Sequence, residues 1–236
     1  ASDVYKRQEQ CMKHGVSRRG DQLPLHLVHT DEEVHGLIAL DMTTGSLNAL
    51  QAKSIIIADG GYEGVWNGSA IGLGVDLAMR TGLAIRDLEF VSWTPLAIDG
   101  TNVVLPIGML ADGATLHHSN GDPLDVDDFA DAAAIANAMG NESIVLDARN
   151  MGESSVWWAQ TSELLSTRLG INMSKQTIPV TAQVSTTLGG ITTDEHGRAI
   201  SGKWSRWFTG LYAAGESACS GVHGAGMVAG NLSLIH

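Results

Sequence analysis

The sequence has few cysteines, few cationic side chains and no long apolar run, and each shortage excludes a class of protein. Cys11 and Cys219 are far apart and lack metal-ligand spacing, which favours a reducing cytosol over a disulfide-stabilised secreted domain. No apolar run reaches the roughly 18 residues of a membrane span, so a soluble chain without direct membrane insertion is expected. The 14 Lys and Arg residues against 26 Asp and Glu residues oppose binding to nucleic acid.

Several catalytic and cofactor motifs are also missing. The sequence contains neither a GxSxG nucleophile motif nor a P-loop, and no dinucleotide fingerprint follows the first strand pattern. One literal match to that fingerprint, Gly224–Ala229, leaves no room for a second strand and a later acidic residue, so we do not interpret it as a fingerprint. The nine histidines have no cysteine or carboxylate at ligand spacing, and no metal site is expected.

What is present is a globular composition with alternating strand patterns and glycine-rich turns. Hydrophobic residues make up 44% of the chain and charged residues 17%. Strand patterns dominate the first and last parts, whereas the middle mixes loops with helical patterns. The sequence therefore predicts a sheet-based domain interrupted by a capping subdomain: residues 9–92, 93–181 and 182–231. Residues 1–8 and 232–236 do not continue the neighbouring patterns and are expected to be non-native or disordered ends.

Local patterns predict individual elements within this outline. The β-branched run at 54–58 (SIIIA) is typical of a buried central strand. The apolar spacing at 75–85 predicts a helix with Gly82 as its C-cap, and a further helix is expected at Glu9–His14. An acidic run is expected to cap and stabilise the start of another helix rather than to act in catalysis: Asp125, Asp127, Asp128 and Asp131.

The stretch Gly210–Gly226 (GLYAAGESACSGVHGAG) combines a short apolar strand, a single glutamate and a glycine-rich run of small side chains. A solvated loop would carry more charge, and a packed helix would carry fewer glycines. Glycine allows another group to approach the backbone closely. The pattern therefore indicates a large, flat ligand that lies against the main chain beside Glu216.

Four blocks occur in one order with one spacing: AKSIIIADGGYEGVW, IGLGVDLAMRTGLAIRDLEFV, TTLGGITTDEHGRA and GLYAAGESACSGVHGAGMVAGN. Together they resemble the FAD-dependent oxidoreductase family of succinate dehydrogenase and fumarate reductase flavoprotein subunits and L-aspartate oxidase. The resemblance runs from about Glu9 to Asn231 and implies a truncated member of the family. It implies an α/β fold: the distal part of a two-dinucleotide-binding-type FAD domain, interrupted by a small α+β capping domain.

The resemblance also implies FAD as cofactor and a set of residues that contact it. Glu216 is similar to the glutamate that the last strand delivers to FAD, and Gly60 and Gly61 correspond to residues beside the adenine half. The full set of implied cofactor-binding residues is Ala58, Gly60, Gly61, Gly72, Gly74, Gly215, Glu216, Gly230 and Asn231. Because the phosphate-binding turn of the family lies upstream of this sequence, we expect the chain alone not to retain FAD.

The chain departs from the family where dicarboxylates are bound. Uncharged residues stand where the family has histidines, arginines or a Thr-Glu pair: Thr94, Pro106, Ile107, Leu110, Ser185 and Met227. No arginine lies at 128–134, where the family has its proton-relay arginine, and Leu73 replaces an aspartate that contacts FAD. A buried dicarboxylate without cationic donors is costly. The resemblance therefore implies a less charged substrate, in a pocket lined by residues such as Trp93, Ile107, Leu110 and Met227.

Alternative interpretations remain open at this point. The expected activity is hydride transfer between substrate and flavin, with catalytic residues unassigned. A flavoprotein paralogue without substrate chemistry, serving as a structural or electron-transfer subunit, is the second hypothesis. A third is succinate oxidation supported by other cationic groups: His117, His118, His223 or Arg149. The resemblance also implies an iron-sulfur or other electron-transfer subunit as partner, and a cytoplasmic location or peripheral attachment to the inner membrane face.

Overall fold

The computed structural model describes residues 2–66, 68, 70–101, 103–126, 128–129, 131–140, 142–203 and 206–224. The α-helices are α1 (Ser2–Lys13), α2 (Leu73–Thr81), α3 (Gly108–Ala111), α4 (Ala132–Met139) and α5 (Ala159–Leu169). The first strands are β1 (Gln22–Thr30), β2 (Glu33–Asp41), β3 (Leu47–Gln51), β4 (Ile55–Ile57), β5 (Ile85–Arg86), β6 (Val91–Ile98) and β7 (Thr115–His118). They are followed by β8 (Ile144–Asp147), β9 (Ile178–Thr187), β10 (Gly190–Thr192), β11 (Arg198–Ile200), β12 (Trp207–Ala213) and β13 (Ala218–Cys219).

The largest sheet has six strands and combines antiparallel and parallel pairs. Strands β1, β2 and β3 form an antiparallel meander. Strand β12 pairs in parallel with β4 and, through one residue pair, with β2, whereas β11 runs antiparallel to it. The pairs Leu211–Ile55 and Ala213–Ile57 set the register of β4 on β12, so both strands end at the same edge of the sheet.

The β-branched run at 54–58 forms β4, as predicted, but only part of it is buried. The side chain of Ile57 is 7% exposed and packs in the core, whereas that of Ile56 is 67% exposed. Among the described residues β4 pairs along one edge only, with β12. Side chains alternate between the faces of a strand. Ile57 therefore reaches the core, and Ile56 faces away from it.

Helix α2 covers this sheet and ends as the sequence predicted. Gly82 has a left-handed backbone conformation (φ 81°), and its N–H bonds to the carbonyls of Ala78 and Met79. Glycine adopts this conformation without the steric cost that other residues meet. Ala78 belongs to a core cluster made with Ile57 and residues from β1, β2, β10, β11 and β12: Leu27, Val34, Ile191, Ala199, Phe208, Leu211 and Ala213.

A second, four-stranded antiparallel sheet has the order β6-β9-β8-β7 and its own core. Helices α3, α4 and α5 supply buried side chains to that core, among them Met109, Ile135 and Leu165. Helix α4 begins after Asp131, the last of the four acidic residues expected at its start, and the Asp131 carboxylate accepts hydrogen bonds from the N–H groups of Ala133 and Ala134. The expected domain boundary at 92/93 falls inside β6, which begins at Val91. The boundary at 181/182 falls inside β9, which ends at Thr187. The proposed division into domains stays a prediction.

Two short chain segments connect the sheets and are fixed by Tyr62. The Tyr62 N–H donates to Thr187 Oγ1 (3.2 Å), and its hydroxyl donates to the carbonyl of Leu88 (2.9 Å). The Leu188 N–H donates to the Phe90 carbonyl (3.0 Å), which extends the pairing of β6 and β9 toward this junction. The loop after β4 is thereby held against the point where the chain enters and leaves the second sheet.

The first helix differs from its prediction. Helix α1 begins at Ser2 rather than near Glu9, so residues expected as a disordered end are helical. Its residues from Tyr5 onward are exposed. The other expected end, 232–236, lies outside the described residues. Within the described part of the chain, no helix has the length and apolarity to cross a membrane.

Candidate cofactor cleft

A cleft of about 560 Å³ opens where β4 and β12 end. Its lining comes from the residues that directly follow the two strands and from a loop that returns toward α2: Ala58, Asp59, Gly60, Glu63, Ala70, Ala214, Gly215 and Glu216. Ligands of open α/β sheets bind outside the carboxyl ends of parallel strands. The parallel pairing of β4 with β12 is therefore the feature that creates this site.

Small residues leave the backbone of the cleft accessible. Gly60 (φ 94°) and Gly215 (φ 68°) both have left-handed conformations that favour glycine. A Cβ on Gly61 would collide with Thr187 Oγ1 and lie 2.9 Å from Glu63 Oε2 and 3.1 Å from Glu216 Oε2. Gly61 thus allows the β4 loop to pack against β9 beside both carboxylates.

Asp59 connects the end of β4 to the start of α2. Its Oδ2 accepts a hydrogen bond from the Gly74 N–H (2.6 Å), and Oδ1 lies 2.9 Å from the Ser217 hydroxyl that donates to it. Gly74 has no room for a side chain, since a Cβ there would lie 2.5 Å from Ile57 Cγ2. A carboxylate near a helix N-terminus is stabilised by the helix dipole. Asp59 therefore takes the place that an external anion would otherwise fill.

Glu63 lies on the loop that closes one side of the cleft. Its Oε1 accepts a hydrogen bond from the Ala70 N–H (3.3 Å), and the Gly64 N–H donates to the Ala70 carbonyl (2.8 Å). The other carboxylate oxygen, Oε2, is buried and has no hydrogen-bond partner among the described residues. Buried polar atoms normally have a hydrogen-bond partner, so this oxygen is an unsatisfied acceptor that a ligand donor would satisfy.

Glu216 follows β12 and lies opposite Glu63 across the cleft. Burial raises the pKa of the Glu216 carboxyl above its usual value, and the charge of Glu63 raises it further. Both causes disfavour the ionised form of a carboxyl group. A ligand that donates hydrogen bonds here would stabilise the carboxylate and relieve both effects.

The charge of the cleft decides which ligand groups fit. Three of its lining residues are acidic, Asp59, Glu63 and Glu216, and no cationic side chain is among the described residues that line it. Carboxylates accept hydrogen bonds from hydroxyl groups, whereas they repel phosphates. The lining therefore fits the hydroxyl-bearing part of a dinucleotide and does not fit its pyrophosphate.

The structure brings several predicted cofactor residues together here. Ala58, Gly60, Gly215 and Glu216 line the cleft. Gly61 lies behind Glu63 and Glu216, and Gly72 and Gly74 form the start of α2. The predicted Gly230 and Asn231 lie outside the described residues. Sequence reasoning missed Asp59, Glu63, Ala70 and Ala214; for the two acids, a carboxylate within six residues of a strand end (ADGGYE) was an available signal.

None of the described residues expected on the substrate side is among those that line this cleft. Thr94 of β6 pairs with Gln183 of β9, and the exposed Ser185 donates from its hydroxyl to the Ser92 carbonyl (3.1 Å). Ile107 and Leu110 pack against the core of the second sheet. Trp93 is partly exposed on β6. The predicted Met227 lies outside the described residues.

The cationic groups considered for succinate binding are engaged within the second sheet. The Arg149 guanidinium donates to both carboxylate oxygens of Asp147 (2.9 and 2.7 Å) and lowers the pKa of that carboxyl to about 2. His117 contacts Thr115 Oγ1 (2.8 Å), and His118 lies 2.7 Å from Glu142 Oε2. His223 follows β13 in the chain and belongs to none of the strands of this sheet. The described part of the chain contains no group of three or more His, Cys, Asp or Glu side chains that could hold a metal ion.

A polar cluster that the sequence did not reveal lies beneath the glycine-rich stretch. The Arg86 guanidinium packs against Gly221, and its Nε lies 3.3 Å from Asp87 Oδ2. The buried Cys219 thiol donates to the same Asp87 oxygen (3.3 Å). Burial raises the pKa of the Cys219 thiol above its usual value, and the hydrogen bond to Asp87 adds to this. The cluster ties β5 to β13.

Residues 6–232 match a family model described as the FAD binding domain, which is nearly the whole chain. The chain belongs to this FAD-binding family. FAD is accordingly its cofactor, and the cleft at the carboxyl ends of β4 and β12 is the candidate place for the hydroxyl-bearing part of that molecule. The family relates the chain to the flavoprotein oxidoreductases of the succinate dehydrogenase and fumarate reductase type, which the resemblance had predicted.

Individual relatives agree with this family. The chain is 29% identical over 256 residues to a succinate dehydrogenase flavoprotein subunit of Rickettsia conorii, covering 96% of this chain and 43% of the relative. It is 30% identical over 223 residues to an L-aspartate oxidase of Agrobacterium fabrum, covering 87% of this chain and 41% of the relative. A quinol fumarate reductase chain from E. coli superposes with a TM-score of 0.73 at 25% identity, covering 88% of this chain and 40% of that chain. The chain thus spans less than half the length of the relatives it matches.

Proposed function

We propose that the protein containing this chain is an FAD-dependent oxidoreductase that transfers a hydride between a small-molecule substrate and the flavin. The observation that carries the proposal is the glycine-lined cleft at the carboxyl ends of β4 and β12, with Glu216 at its edge. When bound, FAD supplies the hydride-accepting or hydride-donating group, and the protein positions the substrate against it.

Within this proposal the chain's own residues bind and orient the cofactor. Glu216 accepts a hydrogen bond from a cofactor hydroxyl, because the cleft excludes phosphates by charge but accommodates hydroxyl donors. Gly60 and Gly215 allow close approach of the cofactor to the main chain. Asp59 holds α2 against the end of β4 through its bond to the Gly74 N–H. Gly61, Gly72 and Gly74 preserve this packing, and Gly230 and Asn231 remain predicted contacts.

We further propose that the substrate is less charged than succinate. The uncharged Thr94 and Ser185 stand where the resembling family has cationic or histidine donors. Arg149, the strongest cation considered as a replacement, is paired with both oxygens of Asp147. A desolvated dicarboxylate would need such donors to be free for it. A substrate with fewer charges avoids this cost.

The second candidate is a paralogue that binds FAD without turning over a substrate. The lack of cationic donors at Thr94 and Ser185 favours it equally. In that case the protein would serve as a structural or electron-transfer subunit beside an iron-sulfur or other electron-carrying partner. The relatives named as flavoprotein subunits support such a partner. Attachment to the inner membrane face would then come through the partner.

The test is the visible absorption spectrum of the protein expressed from its complete reading frame, recorded without oxygen before and after each candidate substrate. We expect flavin bands that succinate does not bleach and that a less charged donor does. Bleaching by succinate would contradict the altered-substrate proposal. Flavin bands that no donor bleaches would favour the paralogue, and a protein without flavin bands would overturn the proposal of an FAD enzyme.

A matched pair of variants tests the cleft itself. Glu216→Gln removes a carboxylate that faces the cleft, whereas Glu195→Gln removes one from an exposed turn elsewhere. We expect the first variant to lose FAD on gel filtration and the second to retain it. The isolated 236-residue chain is also expected to lose FAD. Equal retention by both variants would contradict the role of Glu216.

A further inference from the structure

We infer that Glu63 is a second cofactor-contacting carboxylate, and that its Oε2 accepts a hydrogen bond from a hydroxyl of the bound cofactor beside Glu216. The inference rests on the proposed function, since it assigns a ligand contact inside the same cleft. Glu63 is not among the cofactor-binding residues that the resemblance implies. Its place in the loop after Tyr62 and the state of its two oxygens are what single it out.

The two carboxylate oxygens of Glu63 have different surroundings. Oε1 accepts from the Ala70 N–H, and the Gly64–Ala70 backbone bond closes the same loop. Oε2 is buried without a partner among the described residues. An unpaired buried acceptor costs free energy, and a carboxylate oxygen costs more than a neutral one. A donor supplied by the ligand would remove that cost.

Glu63 Oε2 and Glu216 Oε2 lie near each other beside Gly61. The point that a Cβ on Gly61 would occupy is 2.9 Å from Glu63 Oε2 and 3.1 Å from Glu216 Oε2. The proximity of Glu63 is also one cause of the raised pKa of Glu216. Two carboxylates in one cleft repel each other unless a donor lies nearby. Neighbouring hydroxyls of one polyol chain or sugar can donate to both.

The chemistry of the lining favours hydroxyls over other donors. A phosphate is disfavoured because three acidic residues and no cationic one are found among the described residues of the lining. A metal ion would need further ligands, and the described residues hold no group of three or more suitable side chains. FAD carries hydroxyls on its ribityl chain and on its ribose. Either could reach Glu63, and the two sources share the chemistry proposed here.

The experiment measures the dissociation constant of FAD, from flavin fluorescence, for the complete protein and two variants. In Glu63→Gln the amide oxygen should take the place of Oε1, because the opposite orientation would set the amide NH2 against the Ala70 N–H, and both are donors. The amide NH2, a donor, then stands where Oε2 was. We expect this change to weaken FAD binding about tenfold or more. Glu195→Gln, on an exposed turn, is the control and is expected to bind FAD normally.

Deoxy analogues of FAD, which lack particular hydroxyl groups, show whether the contact with Glu63 is direct. For the unaltered protein, we expect an FAD analogue that lacks either the ribityl or the ribose hydroxyls to bind about tenfold more weakly. The Glu63→Gln change should then add little further loss with that analogue, and this non-additivity identifies the hydroxyl. Glu63→Gln protein that binds FAD as well as or better than the unaltered protein would overturn the inference. So would a loss of affinity on Glu63→Gln that is the same for FAD and for both analogues.

The two proposals fail in different ways. An unaltered protein that binds no FAD overturns the proposed function and this inference together. Normal FAD binding combined with an unaffected Glu63→Gln variant overturns only the role of Glu63. Should Glu63→Gln fail to fold, the analogue series on the unaltered protein can still overturn the inference, because equal binding of FAD and both analogues leaves no hydroxyl contact for Glu63 to make.

Discussion

Acidic residues in this protein have different roles, and their immediate partners decide which. Asp59 accepts hydrogen bonds from the start of α2 and from Ser217. Asp147 is paired with a guanidinium, which lowers its pKa, whereas Glu216 faces another carboxylate from within a partly buried cleft, which raises its pKa. Opposite charges and hydrogen bonds favour the ionised form, and burial or like charges disfavour it.

The Asp147–Arg149 pair should make stability depend on acidity. The pKa of Asp147 in the folded protein, about 2, lies below the ordinary value of 3.8. The stabilisation by ionised Asp147 is therefore fully present above pH 3.8 and is lost as the pH falls through the folded-state pKa. We expect Arg149→Gln to lower the thermal midpoint near neutral pH and to flatten its dependence on pH in this acidic window. The measurement is a thermal melt over a series of pH values.

Arg168→Gln, in the exposed part of α5, serves as the control for this charge removal. Its midpoint should keep the acid dependence of the unaltered protein. A steep acid dependence that survives in Arg149→Gln would show that Arg149 does not set the pKa of Asp147.

The two cysteines should differ sharply in reactivity. Cys11 is exposed, whereas Cys219 is buried and its thiol pKa is raised by burial and by Asp87. Because the thiolate is the reactive form, a raised pKa and lack of access both slow modification. In mildly alkaline buffer we expect one thiol to react rapidly with a chromogenic reagent and the second only after unfolding. Fast labelling that persists in Cys11→Ser would contradict this assignment.

At the scale of elements, helix α2 depends on glycine at both ends for different reasons. Gly82 needs its left-handed conformation but has open space around it. Gly74 needs space, because Ile57 and Asp59 of the β4 segment occupy the position of a side chain. The first requirement is local to the backbone, whereas the second couples the start of the helix to the cofactor cleft.

These reasons predict different results for alanine at the two positions. Gly82→Ala should cost about 1 kcal/mol of unfolding free energy, through backbone strain alone. Gly74→Ala should cost about 2–3 kcal/mol, because the helix start must move away from β4. Only Gly74→Ala should also weaken FAD binding. Urea unfolding and flavin fluorescence measure the two effects, and equal losses in both variants would contradict the steric argument.

At the scale of the whole molecule, two separate cores support the six-stranded and the four-stranded sheet. Leu211 of β12 belongs to the core beneath the cofactor cleft, and Leu146 of β8 belongs to the core of the second sheet. Both side chains are fully buried. If the division into an FAD-binding domain and a capping subdomain is correct, damage to each core should have a different functional consequence.

Alanine substitutions in each core test that division. Leu211→Ala and Leu146→Ala should each destabilise the protein by about 2–5 kcal/mol. FAD retention should fall in Leu211→Ala, because β12 carries Glu216, and should persist in Leu146→Ala. Limited proteolysis, with flavin absorbance as the second readout, separates the two cases. Equal loss of flavin from both variants would count against two independent units.

The sequence by itself determined the family, the strand–glycine–glutamate pattern of the cleft and the caps at Gly82 and Asp131. These features are local: each depends on residue types at fixed spacing along the chain. The sequence also placed Ala58, Gly60, Gly215 and Glu216 in one site, through their resemblance to a known family. It located helix α1 only in part, because the helical pattern before Glu9 is weak.

Only the tertiary structure decided which charged groups meet. The parallel pairing of β4 with β12 brings Glu63 opposite Glu216, although they are far apart in the chain, and it leaves Oε2 of Glu63 without a described partner. Folding also commits Asp59 to α2 and Arg149 to Asp147. Distances between side chains on different elements depend on the packing of those elements, which residue spacing along one sequence does not encode.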